Sequence, residues 1–442
     1  MTDNPRPIPS HTATLGLWSG VGLVVANMIG SGVFLSTGFM AQNMNPGTIL
    51  LAWTVGALVA LTGTRAYAAV AQGIPRSGGE YRYLSDLLHP FAGYLAGWTS
   101  LLVGFSAPIA AAALAAGHFA RTLGSPSDPR AIAALLIVLL TALHATGFEL
   151  SRRTQNVLVA VKAGLLLAFM TVGLSQAMSW PAWTAPHAPP EGGLAFFMTS
   201  LFFVAFAFSG WNAAVYAAGE FSSPERNIPR AMLVGCALVA VLYLLVNWVF
   251  VASLTPERAA VVLEYENQRV TLGHLVMRDI LGEAGGRAMS ILTIVAFVSS
   301  MSAMIFLGPR VYTAMARDGF LPRILSSEDE RPPRASIVLQ GVLALVLLST
   351  HTLQQILQNV GAILTLFTAL TALTVLLGRP VAAAPGLAAR ASAAVYVASA
   401  AVMLFFGLRS LQLWLWVAAA TLCAGAFYLL ARRRRREEEA RR

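Results

Sequence analysis

Lys162 is the only lysine in the chain, and it stands inside an apolar run that follows Gln155. An ionisable side chain at membrane depth indicates a functional site by default. A buried lysine can release its proton whereas arginine stays charged, so Lys162 suits a proton switch. The alternative is a lysine that reaches the lipid headgroups, but these lie roughly 15 Å away at 1.5 Å per helical residue.

Two glycines interrupt the first apolar segment near its middle, in Asn27-Met-Ile-Gly-Ser-Gly-Val-Phe34. Hydrocarbon tolerates such a break only where the freed backbone lines a cavity or is buried in protein. The amides of Gly30–Val33 and the half-helix after them would favour a carboxylate. The alternative is that Gly30 and Gly32 serve only close helix packing.

A second interruption occurs at Phe208-Ser-Gly-Trp-Asn212. Carbonyl groups around Phe206–Ser209 would lose helical partners there and could accept from an ammonium group. Two interrupted spans in corresponding places indicate a transporter's binding site, and an anion at one with a cation at the other describes a zwitterionic amino acid. The predicted substrate-binding residues are Ile29, Gly30, Ser31, Gly32, Phe206, Phe208, Ser209, Gly210 and Trp211, although aromatic residues often only pack.

Three further polar positions are candidates for coupling or gating, together with Lys162. Ser299 and Ser300 could hydrogen-bond the Lys162 ammonium or merely their own backbone. Tyr243 shares one helical face with Asn247, four residues on. His118, His144 and Glu149 lie near span ends and favour partly solvated roles. The sequence contains no metal-ligand or enzyme motif, so we expect neither a catalytic site nor a cofactor.

These residues must be positioned by membrane helices, because the 442-residue chain is 57% hydrophobic and only 11% charged. Recurrent apolar segments of about 20 residues predict an all-α polytopic membrane protein. Neither a signal peptide nor a disulfide framework is predicted, since Cys236 and Cys423 fall inside spans. Twelve spans fit, near 15–41, 48–72, 92–121, 131–149, 152–176, 194–220, 229–254, 286–316, 335–351, 354–377, 391–409 and 411–431.

The distribution of arginine predicts that both termini are cytoplasmic. The formal charge of +10 belongs mostly to loops and to the tail, residues 432–442, which carries seven arginines and three glutamates. Such a cluster next to a membrane indicates a topology anchor on anionic lipid rather than a nucleic-acid site. We therefore expect a plasma-membrane protein with no nucleic-acid partner.

Matching the two breaks divides residues 15–379 into spans 1–5 and spans 6–10, each half beginning with a broken helix. An odd number of spans per half forces opposite orientations, which predicts a 5+5 inverted repeat with a midplane site. Residues 1–14 form an N-terminal tail, and residues 380–431 add the peripheral spans 11 and 12. The connection Ile74–Pro90 predicts a short cytoplasmic helix or a re-entrant piece. The longest outer connection, Ser253–Gly286, predicts helices from Thr255 and over Thr271–Leu281.

An ordered set of motifs resembles the amino acid–polyamine–organocation family, and its L-type amino acid transporter branch in particular. The motifs are Ile29-Gly-Ser-Gly-Val-Phe34, Pro75-Arg-Ser-Gly-Gly-Glu-Tyr81, Phe206-Ala-Phe-Ser-Gly-Trp-Asn212 with Glu220, Pro224-Glu-Arg-Asn-Ile-Pro229 and Arg317-Asp-Gly-Phe-Leu-Pro322. The resemblance implies the LeuT-like inverted-repeat fold and α-amino acid transport.

Position by position, the resemblance also implies individual roles. Ile29–Gly32 matches the carboxylate-binding break, Phe206 the gating aromatic, and Lys162 a lysine whose ammonium takes the place of sodium. Ser300 and Tyr243 match residues of spans 8 and 7. Ser209 falls where the large-substrate members have glycine, which implies a tighter pocket. The segment Thr122–Arg130 lacks the cysteine that links animal members to a heavy chain, so we expect a bacterial-type protein of the inner membrane.

The leading hypothesis is a sodium-independent transporter of neutral, small to medium L-amino acids that works by exchange or proton coupling. An exporter, or a polyamine or cationic amino acid permease of the same fold, is an alternative. The cationic substrates are less favoured because no acidic residue sits at mid-span near either break. A channel would show charge rings or carbonyl filters, and the sequence shows neither. An amino-acid-sensing transceptor is the third class.

Overall fold

The computed structural model is helical through almost all of the residues that it describes, which are 15–41, 43–177, 193–255, 272–327, 332–349, 353–378, 385–407 and residues 425, 428, 429 and 433. In order, its helices are α1 (Leu17–Met28), α2 (Ser31–Met40), α3 (Pro46–Gly73), α4 (Glu80–Leu87), α5 (Pro90–Thr99), α6 (Ala107–Thr122), α7 (Pro129–Thr146), α8 (Phe148–Ala177), α9 (Gly193–Phe208), α10 (Ala213–Tyr216), α11 (Pro224–Ala252), α12 (Leu272–Arg317), α13 (Arg334–Leu348), α14 (Leu353–Leu376) and α15 (Leu387–Gly407). The predicted all-helical class is confirmed for this part of the chain.

Nine helical stretches of the described residues are long and apolar enough to cross a membrane. They match the predicted spans 1–5, 7, 8, 10 and 11. Helices α9 and α13 fall at spans 6 and 9 and are shorter apolar helices. The twelfth predicted span, 411–431, lies outside the described residues apart from three of its members. The chain is therefore a multi-pass membrane protein.

Side-chain caps set the starts of several helices, α3 and α7 among them. Asn45 precedes Pro46, and its Oδ1 accepts from the Thr48 amide at 2.9 Å at the start of α3. Asp128 precedes Pro129 and accepts from the Ala131 amide at 3.3 Å at the start of α7. Both starts combine a polar cap with proline at the first helical position, where its missing N–H costs nothing.

Two elements between the spans were predicted in part. Helix α4 is the short helix expected in the 74–90 connection. The helix expected over 271–281 is the first part of α12, which continues past a non-helical residue, Gly282 (φ 65°), to Arg317. The other helix of that connection, from Thr255, lies outside the described residues after its first residue. A π-helical stretch, Ser100–Ser106, joins α5 to α6 and was not predicted from the sequence.

Both predicted breaks are present. Helix α1 ends at Met28, and Ile29 (φ −74°, ψ 92°) and Gly30 (φ −137°, ψ −149°) are non-helical before α2 begins. Helix α9 ends at Phe208, and Gly210 has φ 102°, a value that favours glycine over any residue with a Cβ. The chain then resumes as α10 and a 3-10 turn, Ala218–Glu220.

The broken helices lie in the interior of the bundle. Most residues of α1 and α2 are buried, as are those of α12, whereas α7, α8 and α15 each expose much of their apolar surface. A helix that is apolar on all sides and buried on all sides is a core element, and one with an exposed apolar face meets lipid. The breaks are thus surrounded by protein, as a break at membrane depth requires.

Candidate functional site

The two breaks lie directly against each other. A Cβ added to Gly210 would lie 2.5 Å from Nδ2 of Asn27, and a Cβ added to Gly32 would overlap the backbone of Ala207. Both glycines are therefore required by the close approach of the two chains. Close packing, the alternative role considered for Gly32, is therefore present, and it brings the first break against the second.

The Tyr243 hydroxyl, on α11, joins the two breaks. Its oxygen lies 2.6 Å from the carbonyl oxygen of Met28 and 3.0 Å from that of Ala207, so its single proton is shared between these two acceptors. The ring is fully buried against Phe208, with centroids 5.0 Å apart. Asn247 turns instead to the Tyr243 carbonyl and to the Thr37 hydroxyl, so it supports α11 and α2 rather than the site.

Lys162, on α8, lies at the first break. Its Nζ donates to the carbonyl oxygens of Ala26, at 2.8 Å, and of Ile29, at 2.7 Å, and the side chain is 1% exposed. The end of α1 leaves these carbonyls without regular helical partners. Lys162 supplies hydrogen bonds that water cannot supply at this depth.

The expected bond from Ser299 to Lys162 is not formed. The Ser299 hydroxyl is buried with no hydrogen-bond partner among the described residues. Ser300 lies against Gly30, where an added Cβ would be 2.6 Å from its Oγ. Neither of the two alternatives left open for Ser299 is realised: its hydroxyl does not bond its own backbone, and Lys162 is taken up by the freed carbonyls of α1, which are stronger acceptors than a serine hydroxyl.

A narrow cleft, with room of about 70 Å³, opens beside the second break. Its wall includes four predicted residues, Phe208, Ser209, Gly210 and Trp211, together with Asn27. The predicted residues Ile29, Gly30, Ser31, Gly32 and Phe206 are buried or packed against neighbours and do not line it. In this conformation the cleft reaches the second break and stops short of the first.

Helix α15 forms part of this cleft, although span 11 was expected to be peripheral. Tyr396 and Met403 of α15 line it beside Thr365 and Thr368 of α14, and the Tyr396 hydroxyl lies 2.6 Å from that of Thr368. Glycines allow the approach, since a Cβ on Gly63 of α3 would lie 2.6 Å from the Tyr396 ring. The site is therefore larger than the pair of breaks.

Two carbonyls of the second break are already occupied. The Phe206 carbonyl accepts from the amide of Ser209, at 3.0 Å, and from its hydroxyl, at 2.6 Å. The Ala207 carbonyl accepts from Tyr243. Of the carbonyls expected to lose their helical partners, those of Phe206 and Ala207 are thus satisfied by a serine and a tyrosine instead and are not left for an ammonium group.

An acidic group lies next to the second break, and it comes from the 74–90 connection rather than from mid-span, where none was expected. The Glu80 carboxylate, in the first turn of α4, accepts from Asn212 Nδ2 at 2.5 Å, from the Tyr67 hydroxyl at 2.9 Å and from the Tyr216 hydroxyl. Asn212 and Tyr216 both line the cleft. The sequence carried one usable signal, a glutamate directly after Gly78 and Gly79 at a helix start with an apolar face.

A second buried acid, Glu220, ties the segment after the second break to α12 and to the start of α1. Its Oε1 accepts from Arg310 Nε at 2.7 Å and lies 2.5 Å from a guanidinium nitrogen. Its carbonyl accepts from the Leu15 amide at 3.0 Å. The side chains of Glu220 and Arg310 are each at most 3% exposed. Breaking such a pair would leave a buried charge unpaired, which is strongly destabilising.

The broken helices, the internal lysine and the cleft define a multi-pass membrane protein with a substrate site inside its helical bundle. The chain belongs to the amino acid permease family, whose profile matches residues 15–431. Proteins of this family are amino acid transporters rather than enzymes, and the confirmed resemblance accounts for the polar site inside an apolar bundle.

Curated relatives include three mammalian transporters. Human large neutral amino acids transporter small subunit 2 is 28% identical over 375 residues, which cover 81% of this chain and 68% of that protein. Mouse Asc-type amino acid transporter 1 is 27% identical over 359 residues, covering 77% and 66%. Mouse b(0,+)-type amino acid transporter 1 is 26% identical over 343 residues, covering 75% and 69%.

Proposed function

We propose that this protein is a sodium-independent secondary transporter of neutral, small to medium L-amino acids that works by exchange or proton coupling. The observation that carries the proposal is the contact of Lys162 Nζ with the carbonyls of Ala26 and Ile29 at the first break. A lysine ammonium bound to freed carbonyls makes the same contacts that a bound cation would make. A coupling sodium ion is then not needed to hold the break.

The proposed substrate lies between the two breaks. Its carboxylate binds the amides of Gly30–Gly32 at the start of α2, where the helix dipole favours an anion. Its ammonium group binds carbonyls of the second break that Ser209 and Tyr243 do not occupy, those of Phe208 and Ser209. Since Ser31 is buried in this structure, the carboxylate site opens when α1 and α2 move relative to the rest of the bundle.

The proposed architecture is twelve spans with an inverted repeat of spans 1–5 and 6–10. Two observations support it: each half begins with an interrupted helix, and Tyr243 joins the interruptions at their backbones. We propose a plasma membrane location, the inner membrane of a bacterium, with both termini cytoplasmic. No disulfide-linked heavy chain is expected.

A cationic substrate, such as a basic amino acid or a polyamine, is the second candidate. The observation that favours it is Glu80, whose buried carboxylate is one side chain removed from the cleft. Export and uptake remain open as directions within the carrier class. A channel and an amino-acid-sensing transceptor are the rivals of other classes.

Two experiments test these proposals. A thermal-shift screen of the purified protein against the twenty amino acids, with and without sodium, identifies stabilising ligands, because a ligand that binds only the folded state raises its stability. We expect neutral amino acids to stabilise the protein equally in sodium and in potassium. In proteoliposomes, saturable countertransport of a labelled amino acid is expected, and a non-saturable flux would indicate a channel.

A further inference from the structure

Two carboxylates are buried among the described residues, those of Glu80 and Glu220, and they differ in how their charge is balanced. Glu220 is paired with Arg310. Glu80 has only neutral donors, namely Tyr67, Tyr216 and Asn212, and no lysine, arginine or histidine of the described residues forms an ion pair with it. Glu80 is thus an uncompensated acid in the interior.

A buried carboxylate without a cation is expensive, and three hydrogen bonds to neutral donors reduce that cost without removing the charge. A buried charge of this kind is typical of functional sites, where it can attract a ligand of opposite charge. The local setting fits this, since a neutral side chain of similar shape could accept from the same tyrosines. The structure therefore raises the question of which cation Glu80 attracts.

The donors of Glu80 point to the answer. Asn212 and Tyr216 both line the cleft while their polar atoms bind the carboxylate behind them. At a given distance, the attraction between two opposite charges is much stronger in the low-dielectric interior of a protein than in water, even when one layer of hydrogen-bonded side chains separates them. A cation in the cleft next to Asn212 would feel Glu80 directly through that layer.

The two buried charged groups of the site lie at opposite ends of it, the positive one at the first break and the negative one at the second. The basic group of Lys162 lies behind the first break, where the proposed carboxylate binds, and the acid Glu80 lies behind the second, where the proposed ammonium binds. Each charged side chain is separated from the substrate by one hydrogen-bonded layer. This polarity matches a zwitterion in a single orientation.

We propose that Glu80 is a positioning residue that acts as the counter-charge of the substrate's α-ammonium group through Asn212 and Tyr216, and that it sets the preference for amino acids over acids without the amine. The inference rests on the proposed function. It predicts that removing the charge weakens binding of the amine and leaves binding of the carboxylate unchanged.

The test compares amino acids with their amine-free counterparts on the purified full chain. Affinities for L-alanine and propanoate, for L-leucine and 4-methylpentanoate, and for L-lysine are measured by ligand-dependent thermal shifts in the wild type and in Glu80→Gln, Glu80→Asp and Tyr67→Phe. In Glu80→Gln, the preference for the amine is expected to fall about tenfold, or about 1.4 kcal/mol. Glu80→Asp retains the charge and Tyr67→Phe removes only one donor, so both are expected to keep the preference.

A second variant, in which the carboxylate is moved to a neighbouring position, keeps the inference testable even if Glu80→Gln is unstable. The double variant Glu80→Gln with Asn212→Asp returns one carboxylate to the same cluster, nearer the cleft, and is expected to restore the preference. Equal weakening of the amino acids and the amine-free acids in Glu80→Gln would show a purely structural role and overturn the inference. So would a loss confined to L-lysine, because the carboxylate would then serve a substrate side chain.

The failure of this inference can be told from the failure of the proposed function. If no amino acid stabilises the wild type, the proposed function is wrong. If amino acids stabilise the wild type and the preference for the amine is the same in Glu80→Gln, only the role of Glu80 is wrong.

Discussion

Nζ of Lys162 lies 2.7 Å from the carbonyl oxygen of Ile29, a residue 133 positions earlier in the chain. Ile29 belongs to no helix, and its carbonyl lies in the interior, where an unpaired polar group costs free energy. The lysine therefore stabilises the break, and the break holds the lysine in place. Movement of the first broken helix relative to α8 must change this contact.

Replacing Lys162 by alanine is expected to abolish transport while weakening substrate binding less. The alanine variant leaves the Ala26 and Ile29 carbonyls without their donor, which costs about 1–3 kcal/mol for each unsatisfied group and shifts the balance between conformations. Countertransport in proteoliposomes measures the rate, and ligand-dependent thermal shifts measure binding. Wild-type rates in the variant would contradict the proposed role.

A second substitution at the same position separates charge from proton release. Lys162→Arg retains a donor that cannot lose its proton at physiological pH. If exchange needs only the positive charge at the break, this variant keeps measurable transport, whereas a proton-coupled cycle stops. The comparison of exchange with uptake driven by a pH gradient, in the same proteoliposomes, distinguishes the two cases.

Tyr243→Phe is expected to lower both stability and transport, because it removes the hydroxyl that joins Met28 to Ala207. Removing this single buried donor leaves carbonyl oxygens unsatisfied, which gives an expected loss of about 1–3 kcal/mol. The matched control is Tyr83→Phe, since the Tyr83 hydroxyl is buried with no hydrogen-bond partner in the described part of the chain. Melting temperatures of both variants test this, and equal losses would contradict the joining role.

The breaks and the lysine were predictable from sequence because each is a local exception to a simple rule. Unpaired backbone groups and charges are costly in hydrocarbon. Glycines in the middle of a long apolar segment, or a single lysine among apolar residues, therefore indicate a special site. The short helix α4 was predictable for a similar reason, since a Gly-Gly pair precedes an amphipathic stretch.

The partners of these residues were not predictable, because they depend on contacts between distant parts of the chain. Asn212 meets Glu80 across 132 positions, and the sequence places Glu80 in a polar connection rather than near a break. The preference of Lys162 for carbonyls over Ser299 depends on how α8 and α12 are rotated, which one sequence does not reveal. The part that α15 takes in the cleft is equally a property of packing.

Ser209→Gly is expected to broaden acceptance of bulky side chains. Ser209 lines the cleft, and its hydroxyl donates to the Phe206 carbonyl at 2.6 Å. Glycine therefore removes side-chain volume from the wall of the cleft and a hydrogen bond that stabilises the second break. Competition by L-phenylalanine relative to L-alanine is expected to improve several-fold, with Ser209→Ala as the control that removes the hydroxyl but keeps Cβ. An unchanged substrate profile in the glycine variant would refute the tighter-pocket interpretation.

Gly210→Ala is expected to destabilise the protein and to abolish transport, and Gly124→Ala is its matched control. Both glycines have positive φ, 102° and 92°, so alanine strains the backbone at each by about 1–3 kcal/mol. Only at Gly210 does the added Cβ meet another group, Nδ2 of Asn27 at 2.5 Å, whereas at Gly124 it meets no atom of the described residues within 4 Å. The excess loss of melting temperature in Gly210→Ala over Gly124→Ala therefore measures the contact between the two breaks. If the two variants lose stability and transport equally, the contact contributes nothing beyond backbone strain, and the breaks do not act as one site.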